Sequence, residues 1–276
     1  EITVEVGPRP MRRFGLIMQM GPVTAVQKDS PAEKAGIKKG DIITTVNGLA
    51  VADPIMLPET LRRRALELQA KEEPMVADIT VQRDGKAVDF KEVSLRIADW
   101  YTIFALPNSP MECSTIGVAY DIKPVIQGVL PDSPAAKAGL KPGYVVTEVD
   151  FPKPKKEIIE KWITDEDLRS LIQSGKPIAM EEWNSWPEII GTIQSTLPGS
   201  RIALKCKKPD GSTESFEVIP TETPDWNNPD RGFNFQSKSV FIQADSFGEA
   251  IKLGAEETWD ALTMVVNFLR KVGTQV

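Results

Sequence analysis

The sequence predicts an α+β fold built from two consecutive, similar units and closed by a long amphipathic helix. Three observations predict it. The segment Asp29-Ser-Pro-Ala-Glu-Lys-Ala-Gly-Ile-Lys-Lys-Gly40 returns at Asp132-Ser-Pro-Ala-Ala-Lys-Ala-Gly-Leu-Lys-Pro-Gly143, nine of twelve positions identical and 103 residues later. A repeat at that distance means duplicated domains rather than a solenoid. Around each copy, short strand-like runs and one longer helical stretch follow in the same order, which implies a small, mostly antiparallel sheet with two helices per unit. Finally, residues 246–272 carry an uninterrupted helical pattern, longer than an ordinary globular helix.

In the first unit, residues 14–20 and 23–27 read as two apolar strands. Ser30 caps a short helix that starts at Pro31, where a missing N–H is harmless, and Gly36 suits the left-handed position that ends it. Residues 41–46 form the next strand, closed by the turn pair Asn47-Gly48. Residues 58–70 place Leu61, Ala65 and Leu68 on one helical face. Residues 75–82 and 87–96 then make a hairpin around Asp84-Gly85.

The second unit repeats this order: strands at 115–120 and 125–129, a helix capped by Ser133, and a strand at 144–149. Residues 151–182 have no counterpart and read as a surface insertion with a short helix at 165–172. A helix at 186–196 offers Ile189, Ile190 and Ile193, and a hairpin turns at Asp210-Gly211. The domain limits are thus 1–100 and 101–225. A Pro/Asn/Asp-rich connector at 221–231 leads into the last region, 226–276, which adds one more strand at 232–241 and the helix 246–272. There, Ser246 and Glu249 match a capping box, and Ile251, Ala255, Leu262, Val265, Val266 and Leu269 form an apolar stripe. Two readings of that stripe stay open: a helix docked on the second unit, or one lying at a membrane surface with Trp259 and Phe268 as anchors.

Composition narrows the function. The chain has 276 residues, 41% apolar and 26% charged, enough for two cores. A net charge of -6 disfavours a nucleic-acid partner. There is no histidine at all, so Ser/His/Asp and Cys/His triads and His-ligated zinc sites are excluded within this chain. The adjacent carboxylates Glu72-Glu73, Asp165-Glu166 and Glu181-Glu182 diverge and read as solvated loops. Cys113 and Cys206 read as packing residues, or as a pair in an oxidising compartment. With no signal peptide, no apolar span of about 20 residues and Glu1 in place of an initiator methionine, the chain is expected to be a piece of a larger protein.

The repeated Asp-Ser-Pro-Ala-x-Lys-Ala-Gly segment, preceded by Phe14-Gly15-Leu16-Ile17 in one unit and Ile116-Gly117-Val118-Ala119 in the other, resembles the PDZ domain in the circularly permuted form of bacterial proteases. The resemblance implies a peptide site in each unit. A glycine lets backbone N–H groups converge on a carboxylate, and the ligand adds as a strand to the sheet edge beside the longer helix. The implied peptide-binding residues are Phe14, Gly15, Leu16 and Ile17 with Leu61, Ala65 and Leu68, and Ile116, Gly117, Val118 and Ala119 with Ile189 and Ile193.

The two units followed by the helix beginning near Glu249 further resemble the region between membrane spans of bacterial site-2 proteases, the RseP-type intramembrane zinc metalloproteases. That resemblance implies a non-catalytic module on the periplasmic side of the inner membrane. The module would bind extended peptides or C-termini and filter substrates such as anti-sigma factors, and the zinc would sit elsewhere in the parent. This fragment itself is expected to hold no cofactor, metal ligand or catalytic residue. The alternatives are the tandem PDZ region of an HtrA-like serine protease or chaperone, and a stand-alone PDZ scaffold.

Overall fold

A computed structural model describes residues 5–97, 109–164, 166–172, 177–180, 186–228 and 244–273. The first repeat contains β1 (Arg9–Arg13), β2 (Leu16–Val26), α1 (Pro31–Ala35), β3 (Ile42–Val46), β4 (Leu49–Ala50), a 3-10 turn (Pro54–Met56), α2 (Leu57–Ala70), β5 (Val76–Arg83) and β6 (Lys86–Ser94). The second contains β7 (Met111–Cys113), β8 (Val118–Val129), α3 (Pro134–Lys137), β9 (Val145–Asp150), α4 (Lys156–Trp162), α5 (Glu166–Leu171), β10 (Ile178–Ala179), α6 (Trp186–Ser195), β11 (Ile202–Lys207) and β12 (Thr213–Val218). After it come β13 (Thr221–Asn228) and α7 (Phe247–Gly273). This is a mixed fold of antiparallel sheets and several helices.

The local chemistry explains the short elements. Ser30 and Ser133 Oγ accept the N–H of Glu33 and Ala136, each at 3.2 Å, so two otherwise orphan donors are satisfied. Gly36 follows α1 at φ 91°, donating back to Glu33 O. Asn47-Gly48 and Asp84-Gly85 have positive φ at both positions, the geometry that matches the twist of a tight hairpin.

The longer strands depart from the expected order. Where two strands were expected at 14–20 and 23–27, β2 runs unbroken, and β8 likewise joins the latter half of the first run expected in the second repeat to the whole of the second. The reason lies between the runs. A two-residue reversal needs positive φ, but Gly21 is not among the positive-φ glycines, and Pro22 and Pro124 are locked to negative φ. The ladder tolerates these prolines because its register shifts there, between Met20 and Val23 and between Met18 and Gln19 opposite Ile126 and Lys123.

Unable to fold on themselves, β2 and β8 pair with each other from Leu16↔Val129 to Val26↔Val118. They form one side of a larger sheet in the order β12-β11-β9-β8-β2, while β4-β3-β5-β6 forms a second sheet. The beginning of each repeat is thereby delivered into the other. Leu130 N donates to Gly15 O and Gln27 N to Gly117 O, both at 2.8 Å. Ala135 N donates to Phe14 O at 3.0 Å and Ala32 N to Ile116 O at 2.9 Å. Correspondingly, β1 lies against α6 and β7 against α2. One continuous core spans both repeats.

Further elements were not foreseen. β1 pairs with β13, in the stretch expected to be a connector, and buries Thr223, Trp226 and Asn228. In the insertion, α4 buries Ile159, and β10 pairs with β9 next to buried Met180. Cys113 and Cys206 are separate buried thiols, each pushed up to about 12, mainly by burial. The strand expected at 232–241 lies outside the described residues.

Glu1–Arg231 forms one compact unit and Gly232–Val276 a second. In the second, Ser246 Oγ accepts Glu249 N–H at 3.2 Å, and Glu249 reaches back to Asp245 N–H at 2.9 Å. Ile251, Trp259, Leu262, Val265 and Val266 on α7 are exposed. No helix among the described residues is long and apolar enough to cross a membrane.

Candidate peptide-binding site

The exchange of strands decides which residues meet. Phe14 is 1% exposed, with its ring 6.2 Å from that of Trp186 on α6, so the Phe14–Leu16 segment meets the helix that carries Ile189 and Ile193. On the other side, Tyr120 Oη donates at 2.6 Å to Pro54 O in the 3-10 turn that leads into α2, and β7, just before Ile116, lies against α2. Phe14 is thus matched with the helix of the other repeat, whereas Ile17 lines a cleft with Leu57 and Leu61 of the helix in its own repeat. Phe14, Leu16, Ile116, Val118, Leu61, Ala65, Leu68, Ile189 and Ile193 are all buried core residues, whereas Ile17 and Ala119 are half-buried.

Both glycines adopt the left-handed conformation, Gly15 at φ 84° and Gly117 at φ 80°. Each also lets the capping serine of the other repeat approach. A Cβ on Gly15 would stand 2.2 Å from Ser133 Cβ, and one on Gly117 would stand 2.4 Å from Ser30 Cβ. Close backbone packing is thus a requirement as strong as the conformation itself.

Past the glycines the two repeats differ. In the second, Gly117 N and Ile116 N donate to Cys113 O at 2.8 and 3.3 Å. β7 then continues antiparallel along β8, with Glu112 opposite Ala119 and Met111 opposite Tyr120. Arg96 holds this turn from the first repeat: its Nε donates to Ser114 O at 2.7 Å, and its Nη2 donates to Gln27 Oε1. In the first repeat β2 is the outermost strand of its sheet. Over Leu16–Met20, β8 lines one edge and no strand among the described residues lines the other.

β1 instead turns aside onto α6. Gln194 holds its backbone reciprocally, accepting Arg12 N–H at 2.9 Å and donating to Arg12 O at 2.8 Å. The Arg12 guanidinium covers the end of α6, donating to Ile193 O at 2.6 Å and Thr196 O at 2.7 Å. Neither residue was singled out from the sequence, since no local pattern marks a contact 182 residues apart.

A cleft of about 520 Å³ opens where the repeats meet, lined by Ile17, Leu130, Val51, Leu57, Arg64 and Asp53. Arg64 Nε is buried there without a hydrogen-bond partner among the described residues. Asp53 is capped by Ile55 N–H at 3.3 Å and lies 3.9 Å from Arg13 Nη1. Its carboxyl is raised to about 6 by burial, which outweighs the lowering by Ile55 N–H and Arg13.

Comparison with known proteins adds two findings. The PDZ domain family model matches residues 23–62, so the chain contains a PDZ domain. Relatives include DegP-like periplasmic serine endoproteases of Pseudomonas fluorescens, 33% identical over 165 residues, and Brucella suis, 33% identical over 158 residues. A third, from Chlamydia trachomatis, is 31% identical over 137 residues. The matches cover 53%, 50% and 46% of this chain but only 33%, 28% and 26% of those proteins. The chain therefore spans about a third or less of each relative.

These relatives correct the wider resemblance. They are serine endoproteases, so the site-2 protease assignment, the intramembrane zinc metalloprotease parent and its zinc are overturned. The inner-membrane placement and the anti-sigma substrate rested on that assignment and find no support in them. The error has a physical source. The Asp-Ser-Pro-Ala segments specify a capped turn within a PDZ unit and are silent about the attached protease, so the choice between classes had rested on the helix near Glu249. An amphipathic stripe of that kind has many uses.

Proposed function

We propose that this chain is the peptide-capturing part of a DegP-like periplasmic serine endoprotease, built from two circularly permuted PDZ units that have exchanged their first strands. Its task is to hold an extended segment or a C-terminus of a client protein. Cleavage belongs to another part of the parent, because a chain without histidine cannot assemble a Ser-His-Asp triad. The observation that carries this reading is the Leu16–Met20 edge, which follows a left-handed glycine and has no second strand beside it among the described residues. An exposed sheet edge next to a glycine turn takes extended peptide by strand addition, with affinity from the main chain and selectivity from alternate side chains.

The test is fluorescence anisotropy with labelled peptides that end in an apolar residue, each made with a free carboxylate and as the amide. Saturable binding that weakens on amidation supports the reading. Equal binding of both forms, or none, refutes the capture of C-termini.

A further inference from the structure

The strand β7 lies where a strand added to the edge of β8 would lie, between β8 and α2. Met111, Glu112 and Cys113 alternate buried, exposed and buried, as an extended peptide does when it adds to an edge. They lie on β8 on one side and against α2 on the other. The segment ends where a bound C-terminus would end, with Cys113 O receiving the N–H groups of Ile116 and Gly117.

Comparison of the repeats shows that the fold does not require this. Gly15 has the same φ as Gly117 within a few degrees and the same contact with a capping serine. Yet the strand before it, β1, leaves for β13 and α6, and in the turn hydrogen bonds among the described residues Gly15 serves as an acceptor, from Leu130 N–H. The two glycines thus share a conformation, but among the described residues only the second repeat has a carbonyl of the preceding strand on the N–H groups beside its glycine.

The turn at Gly117 also has a charge beside it. Arg96 Nη2 stands 3.2 Å from the position of a Cβ on Gly117. Its guanidinium at present serves a carbonyl and an amide oxygen, both neutral, whereas a planar guanidinium is best matched by a carboxylate.

We propose that Met111–Cys113 is a built-in ligand closing the groove between β8 and α2, and that on its displacement this groove receives the free carboxylate end of an extended peptide on Ile116 N, Gly117 N and Arg96. The inference rests on the reading of the chain as a peptide-capturing module. It adds that the module holds two sites of unequal accessibility, one of them latched. A tethered ligand acts at an effective concentration of about millimolar, so it masks the second site from weak peptides and yields to strong or abundant ones. The latch favours clients with an apolar last residue and a second apolar residue two positions earlier, the pattern of Cys113 and Met111.

The test is a two-dimensional NMR titration of the whole chain with a synthetic peptide ending Pro-Met-Glu-Cys with a free carboxylate, under reducing conditions. In the unaltered protein, amides of Leu16–Met20 should shift first. In Met111→Ala, the amides of Ile116 and Gly117 should respond at roughly tenfold lower peptide than in the unaltered protein, because the competing tether is weakened. Adding Arg96→Gln should remove that gain for the free carboxylate but not for the amidated peptide. Shifts at Leu16–Met20 with none at Ile116 and Gly117 in Met111→Ala overturn the latch alone, while silence at all these amides overturns the peptide-capture reading and the latch with it. Should Met111→Ala fail to fold, native-state hydrogen exchange of the unaltered chain decides. The Gly117 amide should exchange by local opening and be slowed by the peptide, and exchange only through global unfolding refutes the latch.

Discussion

Replacing Asp53 by asparagine should stabilise the protein at neutral pH and leave it unchanged in acid. The side chain is 11% exposed and accepts Ile55 N–H at 3.3 Å, a bond that asparagine Oδ1 can also accept. Burial raises the folded-state value to about 6 from an ordinary 3.8, with Asp225 adding to the rise and Ile55 N–H and Arg13 opposing it. An acid raised on folding holds its proton longer in the native state than in the unfolded one. Stability is therefore lost as pH climbs through the window from 3.8 to about 6. A shift of about two pH units corresponds to about 3 kcal/mol at pH 7. The attraction to Arg13 is already counted in the net shift. Urea unfolding of both proteins at pH 4, 5, 6 and 7 should give a stability difference rising from near zero to about 2–3 kcal/mol in favour of Asp53→Asn. A difference independent of pH, or an asparagine variant that is less stable at pH 7, would refute the reasoning.

Asp41 should show the opposite pH signature. It is 1% exposed, and although burial raises it, hydrogen bonds from Arg83 and Lys38 N–H, all at 2.7 Å, hold it below the ordinary carboxylate value. Its contribution is present above that ordinary value and disappears as pH falls through the folded one. Arg83→Leu removes the partner of this carboxylate and should destabilise the protein at pH 7, with a smaller loss in acid, as read by urea unfolding. Gly15→Ala meets Ser133 Cβ at 2.2 Å as well as a disfavoured φ and should cost about 3 kcal/mol or more. Gly211→Ala has similar φ and open space around it, so thermal unfolding should show only the backbone cost of about 1 kcal/mol. Gln194→Ala leaves the N–H and C=O of buried Arg12 without their partner and should lower stability by about 1–3 kcal/mol in the same measurement.

What the sequence disclosed and what it withheld follow the distance over which each feature is decided. Caps and tight turns are settled within four residues, and so Ser30, Ser133, Gly36, Asn47-Gly48 and Asp84-Gly85 were legible. The exchange of β2 and β8 was not, because the two repeats are chemically alike and each strand satisfies the other's partners as well as its own. Only Gly21-Pro22 and Lys123-Pro124 decide it, by being too short and too extended to reverse the chain. β13 was hidden by its composition: Pro224 and Asn227-Asn228 read as a connector, and its register against β1 is broken between Pro10 and Arg12. In the site, the glycines were visible because a left-handed turn favours glycine over other residues, whereas Arg96 and Gln194 act on backbone far away in sequence and leave no periodic trace.

The exchange has a consequence for binding that neither repeat would have alone. Residues of the two repeats meet on both sides: Phe14 packs its ring near Trp186 of α6, and β7 lies against α2. A peptide seated in either groove touches residues of both repeats and so binds only the interlocked form. Its binding free energy is then added to the cohesion of the whole unit, by about 2.7 kcal/mol at a ligand concentration one hundred times Kd. Conversely, anything that loosens the β2–β8 pairing dismantles both grooves together, because Gly15 and Gly117 are each held in position by the capping serine of the opposite repeat. The two grooves are thus parts of one mechanical object, and filling of the second by Met111–Cys113 helps to hold the strand on which the first depends.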